Sequence, residues 1–133
     1  MATRSRIGIE LEDGTIKSIY CHWDGYISNN GKLLLNHYTD REKVTQLIEL
    51  GDISNLAPEV NPSEPHTFNK PQDGVTVAYH RDREEKLSPA RADSIRGQFI
   101  ARGYEEYGYL FNKENQWEVI VNDNVGFVPL KVS

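Results

Sequence analysis

The sequence has a single cysteine among its 133 residues. This excludes an intramolecular disulfide framework and any zinc site built from several cysteines. Long apolar runs are lacking as well, since no stretch approaches the roughly 20 residues of a membrane span. No apolar segment of signal-peptide type follows the first residues either. We therefore expect a protein that stays in the cytosol and has no membrane partner.

An overall positive charge is also lacking. The formal net charge is −5, which argues against general coating of nucleic acid, because such binding requires a basic face that releases counterions. The charge is uneven, since basic residues outnumber acidic ones within residues 81–102. A local positive surface on an acidic body favours a small anion or an acidic protein as partner.

The chain does contain alternating patterns, which predict an N-terminal β-hairpin. Residues 6–12 alternate apolar and polar side chains, which is the period of a strand, and residues 15–23 are rich in β-branched and aromatic types. Asp13-Gly14 between them favours a two-residue type I′ turn, and that turn pairs Glu10 with Lys17. The register sets two faces, one with Arg4, Arg6, Cys21 and Trp23 and the other with Ser5 and His22.

The remaining patterns predict a single α+β domain with an antiparallel or mixed sheet. Thr39 and Glu42 have the spacing of a capping box, with Thr39 as the cap residue, and Gly51 is placed to end that helix in a left-handed conformation. The predicted elements are a short helix at 32–38, the helix before Gly51, a proline-rich loop at 57–73, a strand at 75–79, a helix at about 89–102 and a three-stranded antiparallel meander within 106–130.

Residues 18–26 (SIYCHWDGY) are the densest stretch of side chains that hydrogen-bond, stack or coordinate. We interpret this stretch, at the end of the hairpin, as one wall of a binding site. Aromatic faces stack on bases, and guanidinium groups bind phosphate oxygens bidentately. The predicted ligand-binding residues are Arg4, Arg6, His22, Trp23, Asp24, Tyr26, Tyr79, Arg81, Asp82 and Arg83.

The end of the predicted strand at 75–79 gives this site its anion contact. Residues two apart at a strand end point the same way, so Arg81 and Arg83 would bind one phosphate or carboxylate together. Asp82, pointing back, would orient Arg4 or Arg6. The alternative is that residues 81–83 are a solvated run of ion pairs.

The local sequence patterns do not favour a catalytic site or a metal site. Cys21 and His22 are neighbours on a strand and point to opposite faces, so they form no local dyad. His22, Asp24, His37, His80 and Asp82 lack the spacing of a regular metal motif. The sequence therefore favours a protein without catalytic residues, metal or cofactor. Aromatic side chains at 104, 107, 109, 111 and 117 leave open a homo-oligomeric contact.

Several separated motifs resemble a family of small uncharacterised phage and bacterial proteins. They are RSRIG at residues 4–8, SIYCHWDGY at 18–26 and GVTVAY at 74–79, followed by RDR at 81–83. The resemblance covers roughly the first two thirds of the chain and implies a phage-type accessory protein. A counter-defence role is an expectation by analogy with other small phage proteins. Three functions follow as hypotheses: sequestration of a small anionic ligand such as a signalling nucleotide, blocking of a host effector protein through the acidic surface, and hydrolase or nuclease activity using His22, Asp24 or Asp82.

Overall fold

A computed structural model describes residues 3–63, 66–83, 86, 91–93, 106–121 and 127–131. The strands are β1 (Ser5–Glu10), β2 (Ile16–Cys21), β3 (Ile53–Asn55), β4 (Val77–Ala78), β5 (Arg91–Asp93), β6 (Tyr107–Phe111), β7 (Trp117–Val121) and β8 (Val128–Pro129). A π-helical turn, Ile27–Gly31, leads into helix α1 (Lys32–His37), which is followed by α2 (Arg41–Glu49) and α3 (Tyr79–Arg83). The predicted α+β class is confirmed.

The strands form one mixed sheet in the order β4-β3-β2-β1-β6-β7-β8, and β5 pairs with the free part of β2. Most neighbouring strands are antiparallel, but β1 and β6 run parallel at the centre, and β2 and β3 also run parallel. None of the helices in the described part of the chain has the length and apolar character that crossing a membrane requires.

The hairpin register differs from the prediction by one residue. Glu10 pairs with Ile16 and Ser5 with Cys21, because Leu11 and Thr15 close the loop through the Leu11 N–H, 2.8 Å from the Thr15 carbonyl. The loop therefore holds three residues, and Gly14 takes the left-handed conformation (φ +90°) that such a loop requires. A one-residue slip changes which side chains share a face.

The slip separates the predicted partners at the hairpin end. Arg6 pairs with Tyr20, while Cys21 pairs with Ser5, so the arginine does not share a face with Cys21 and Trp23 as predicted. One face of the hairpin instead carries Ile7, Ile9, Ile19 and Cys21 into the main core. The other face carries Arg6, Ser18 and Tyr20.

Helices α1 and α2 pack on the apolar face of the sheet. The sequence predicted a short helix at 32–38 and a helix before Gly51, and the structure confirms them as α1 and α2. The cap of α2 is Asp40 rather than Thr39, since the Asp40 carboxylate accepts from the Glu42 N–H at 3.3 Å. Val44, Leu47 and Ile48 form the buried stripe of α2, and Gly51 follows with φ +76°. The main core joins this stripe to the sheet residues Ile7, Ile9, Ile19, Tyr109, Phe111 and Val119.

The prediction of a helix at 89–102 is wrong for the part of that range that the structure describes. Residues Arg91–Asp93 form β5, antiparallel to the first half of β2. The exposed backbone edge of β2 offers hydrogen bonds that override local helix propensity. The other residues of the predicted helix lie outside the described part of the chain.

Candidate ligand-binding site

A concave pocket of about 510 Å³ lies where residues 66–69 of the proline-rich loop pack against residues 81–83. The two walls are joined through their backbones, since the Phe68 N–H donates to the Asp82 carbonyl at 2.8 Å. The second wall belongs to α3, which directly follows β4. This wall is therefore fixed to the edge of the sheet. We call the whole concavity the loop pocket.

The Asp82 carboxylate forms the buried base of the loop pocket. Its side chain is 3% exposed and accepts from the Ala78 N–H at 2.7 Å and from Arg81 Nε at 2.8 Å. Burial alone raises the pKa of Asp82, but the hydrogen bonds from Arg81 and Ala78 and the charge of Arg81 outweigh it and hold that pKa below its ordinary value. The carboxylate is therefore ionised at neutral pH.

Arg81 is tied to the protein through Nε and both terminal nitrogens. Besides the bonds to Asp82, its guanidinium donates to the Val60 carbonyl at 2.6 Å and to the Thr76 carbonyl at 2.7 Å. These bonds connect the proline-rich loop to α3 and to the residue that precedes β4. Protein groups therefore hold Arg81 in place as part of the pocket wall.

The predicted strand-end geometry of residues 81–83 is wrong. These residues form a helical turn, in which alternate side chains do not point the same way, so Arg81 and Arg83 do not converge on one anion as predicted. The partners of Asp82 are Arg81, Ala78 and His66 rather than Arg4 or Arg6.

His66 completes the buried cluster, although the sequence did not predict it. Its side chain is 1% exposed, and Nε2 lies 3.1 Å from Asp82 Oδ2, without the alignment of a hydrogen bond. Nδ1 accepts from the Gln72 N–H at 2.8 Å, which places the proton of the neutral ring on Nε2. Neither nitrogen is therefore placed to take a proton from a ligand. No motif marked residues 66–69; only the length of their loop suggested a function.

Phe68 and Arg83 form the outer part of the loop pocket. The Arg83 guanidinium lies 4.8 Å from the centroid of the Phe68 ring, a cation–π contact that orients a long side chain. Tyr79 packs against the same ring with centroids 5.9 Å apart. Arg83 is exposed, so its charge lies at the mouth of the pocket.

The two arginines at the hairpin end, Arg4 and Arg6, contact residues of β2. The Arg6 guanidinium donates to the Ser18 carbonyl at 3.1 Å and to Ser18 Oγ at 3.0 Å. Arg4 lies beside the Tyr20 hydroxyl, which is also 2.8 Å from His22 Nδ1. The structure therefore brings Arg4 and His22 together around Tyr20.

Asp52 connects this group to the loop pocket. Its carboxylate accepts from the Tyr20 N–H at 3.0 Å, and its carbonyl accepts from the Tyr79 N–H at 3.3 Å. The predicted site therefore divides into two neighbouring regions, one around Tyr20 and the other at the loop pocket.

Trp23, Asp24 and Tyr26 lie on the turn after β2, next to the group around Tyr20. We call residues 23–26 the aromatic turn. The Trp23 side chain is 44% exposed and that of Tyr26 is 40% exposed. The Trp23 ring meets the His22 ring edge-on, with centroids 4.6 Å apart. Trp23, Asp24 and Tyr26 do not line the loop pocket, where Arg81 and Arg83 lie.

Comparisons of the chain with protein-family models, with curated proteins and with solved structures found no match. Among the described residues, no cluster of three or more His, Cys, Asp or Glu side chains is placed to hold a metal ion.

Cys21 is not placed as a nucleophile. The side chain is fully buried, donates to the Trp23 carbonyl at 3.6 Å and lies 3.4 Å from Asn30 Nδ2. Burial raises the pKa of the thiol to about 11. The thiol therefore stays protonated at neutral pH, and a protonated thiol is a poor nucleophile.

Proposed function

We propose that the protein binds and sequesters a small anionic ligand, such as a signalling nucleotide, in the loop pocket without transforming it. The observation that carries this proposal is the exposed Arg83 guanidinium, held 4.8 Å from the Phe68 ring at the mouth of a concave pocket of about 510 Å³. This volume lies within the range of about 300 to 1,000 Å³ that small-molecule sites occupy.

The charges of the pocket favour an anion. Arg81 and Asp82 neutralise each other through a pair of hydrogen bonds, at 2.8 Å and 3.0 Å, and Arg83 is a second cation in the lining. A guanidinium group binds phosphate or carboxylate oxygens through a planar pair of donors. An arginine already oriented by an aromatic ring loses less side-chain entropy when the ligand binds.

The immobile base of the pocket supports binding rather than reaction. Asp82 is held by Arg81 and the Ala78 N–H, and both nitrogens of His66 face protein groups. A general base needs a free acceptor within hydrogen-bond reach of the proton that it removes. These two side chains do not offer one, and the buried thiol of Cys21 is protonated.

The wider setting of this proposal is a phage-type accessory protein that acts in the host cytosol. Its support is the resemblance of residues 4–8, 18–26 and 74–83 to small phage and bacterial proteins. In this setting the hairpin, the proline-rich loop and the C-terminal meander belong to one α+β domain, with the loop pocket at its sheet edge.

A thermal-shift titration tests the proposal. The parent protein is mixed with nucleoside mono-, di- and triphosphates, with pyrophosphate, and with adenosine as an uncharged control. A ligand that binds only the folded state stabilises it by RT ln(1 + [L]/Kd), about 2.7 kcal/mol at a hundredfold excess over Kd. We expect at least one phosphorylated compound, but not adenosine, to raise the melting temperature, and chromatography should recover that compound unaltered.

The matched variants are Arg83→Gln in the pocket and Lys32→Gln on α1, each of which removes one exposed cation. Arg83→Gln should weaken binding at least about tenfold, the loss of one charge-assisted contact. Lys32→Gln should bind like the parent. The proposal fails if no phosphorylated compound stabilises the protein, or if both variants bind alike. Recovery of a chemically altered compound would instead favour an enzyme.

A further inference from the structure

The aromatic turn has its backbone fixed from several directions while its side chains face solvent. The Trp23 N–H donates to the Ser54 carbonyl at 2.9 Å, and the Gly25 N–H donates to the Thr3 carbonyl at 2.8 Å. The Gly25 carbonyl accepts from the Tyr109 hydroxyl at 2.6 Å. β3, β6 and the segment before β1 therefore hold this turn in one conformation.

Two backbone features require particular residues at this turn. Asp24 has φ 56°, a left-handed conformation that Asp and Asn tolerate better than most other residues. A side chain at Gly25 would place its Cβ 2.7 Å from Ser5 Cβ and 2.8 Å from the Thr3 carbonyl oxygen. The turn therefore depends on close contacts, and these contacts fix the positions from which Trp23 and Tyr26 project.

We propose that the aromatic turn is a docking surface for a partner protein that presents a basic side chain, Arg or Lys, next to an apolar one. Trp and Tyr are frequent among the residues that dominate protein interfaces. A preorganised turn also loses little conformational entropy on binding. This surface is separate from the loop pocket, and the inference does not depend on the proposed ligand.

The chemistry of the partner follows from the charges. Asp24 is exposed between the two aromatic residues, and aromatic faces also attract cations. Arg4, which lies near this turn, is engaged with the Tyr20 hydroxyl. The net charge of −5 steers a basic protein towards the chain and repels both nucleic acid and a second copy of the same chain.

A peptide-display selection tests this inference with the full chain. A random twelve-residue library is selected on the parent protein after counter-selection on the double variant Trp23→Ala/Tyr26→Ala, whose fold is checked by circular dichroism. We expect the surviving peptides to be enriched in Arg or Lys beside apolar residues. Their affinity should fall at least about tenfold on Asp24→Asn, the loss of one charge-assisted contact, because Asn keeps the left-handed turn but removes the charge.

Val128→Ala is the matched control, since Val128 is 51% exposed on β8 and its replacement should leave peptide binding unchanged. The inference is overturned if no peptide distinguishes parent from double variant, or if the peptides that do so lack cations and ignore Asp24→Asn. It is also overturned if sedimentation shows that the parent self-associates and the double variant does not, because a second copy would then cover the surface.

Discussion

Replacing Arg81 by methionine should destabilise the folded protein by about 3 kcal/mol, whereas the same change at Arg83 should have little effect. Methionine keeps much of the aliphatic stem and removes the guanidinium. The change deletes the bonds to the Val60 and Thr76 carbonyls and leaves the Asp82 carboxylate, 3% exposed, without its charge partner. Removing one partner of a buried ion pair destabilises a protein by about 3 to 5 kcal/mol. We expect the lower end because the Arg81 side chain is 24% exposed.

Urea unfolding followed by circular dichroism measures this difference. Arg83→Met is the matched control, since Arg83 lies in the same turn but is exposed, and its unfolding free energy should change by less than about 1 kcal/mol. A double-mutant cycle with Asp82→Asn adds a second test. The double variant should be more stable than the sum of the single effects implies, by at least about 1 kcal/mol, because removing the carboxylate removes the unpaired charge.

Equal effects of Arg81→Met and Arg83→Met would refute the structural role of Arg81. Strict additivity in the cycle would refute the coupling between Arg81 and Asp82. In either case residues 81–83 would be a solvated run of charges, and the loop pocket would lack the fixed base on which ligand binding depends.

Two further predictions concern pH and packing. The pKa of Asp82 is held below its ordinary value of 3.8 in the folded protein, so its stabilising contribution is present above 3.8 and is lost as pH falls through the folded pKa. The difference in unfolding free energy between the parent and Asp82→Asn, measured by urea unfolding at a series of pH values, should therefore shrink in acid; a constant difference would contradict this. Gly25→Ala should destabilise the protein by about 1 to 3 kcal/mol, because its Cβ would lie 2.8 Å from the Thr3 carbonyl oxygen. A melting temperature equal to that of the parent would contradict this prediction and show that the backbone of the turn shifts to accommodate the methyl group.

Local patterns in the sequence were enough to predict the class and several elements. The helical stripe of Val44, Leu47 and Ile48 and the left-handed Gly51 were read correctly, because periodicity and capping act within a few residues of chain. The concentration of polar and aromatic side chains near Tyr20 and His22 was also visible in the sequence. These signals are properties of neighbouring residues, so they do not depend on how distant segments pack.

The tertiary structure decided the register, the sheet order and the site. Gly14 in a three-residue loop shifted the hairpin by one residue and moved Arg6 beside Ser18. The edge of β2 recruited Arg91–Asp93 as a strand. Neither outcome follows from propensity, because the choice between two local conformations of similar free energy is made by long-range hydrogen bonds.

The difference between Arg81 and Arg83 shows the same limit most directly. The two residues lie two positions apart and have identical chemistry, and no local pattern distinguishes them. The carbonyls of Val60 and Thr76 bind the Arg81 guanidinium, whereas Arg83 reaches the Phe68 ring at the mouth of the pocket. The sequence by itself determined which charges are present. The packing of the proline-rich loop determined that Arg81 is held by protein carbonyls and that Arg83 is exposed.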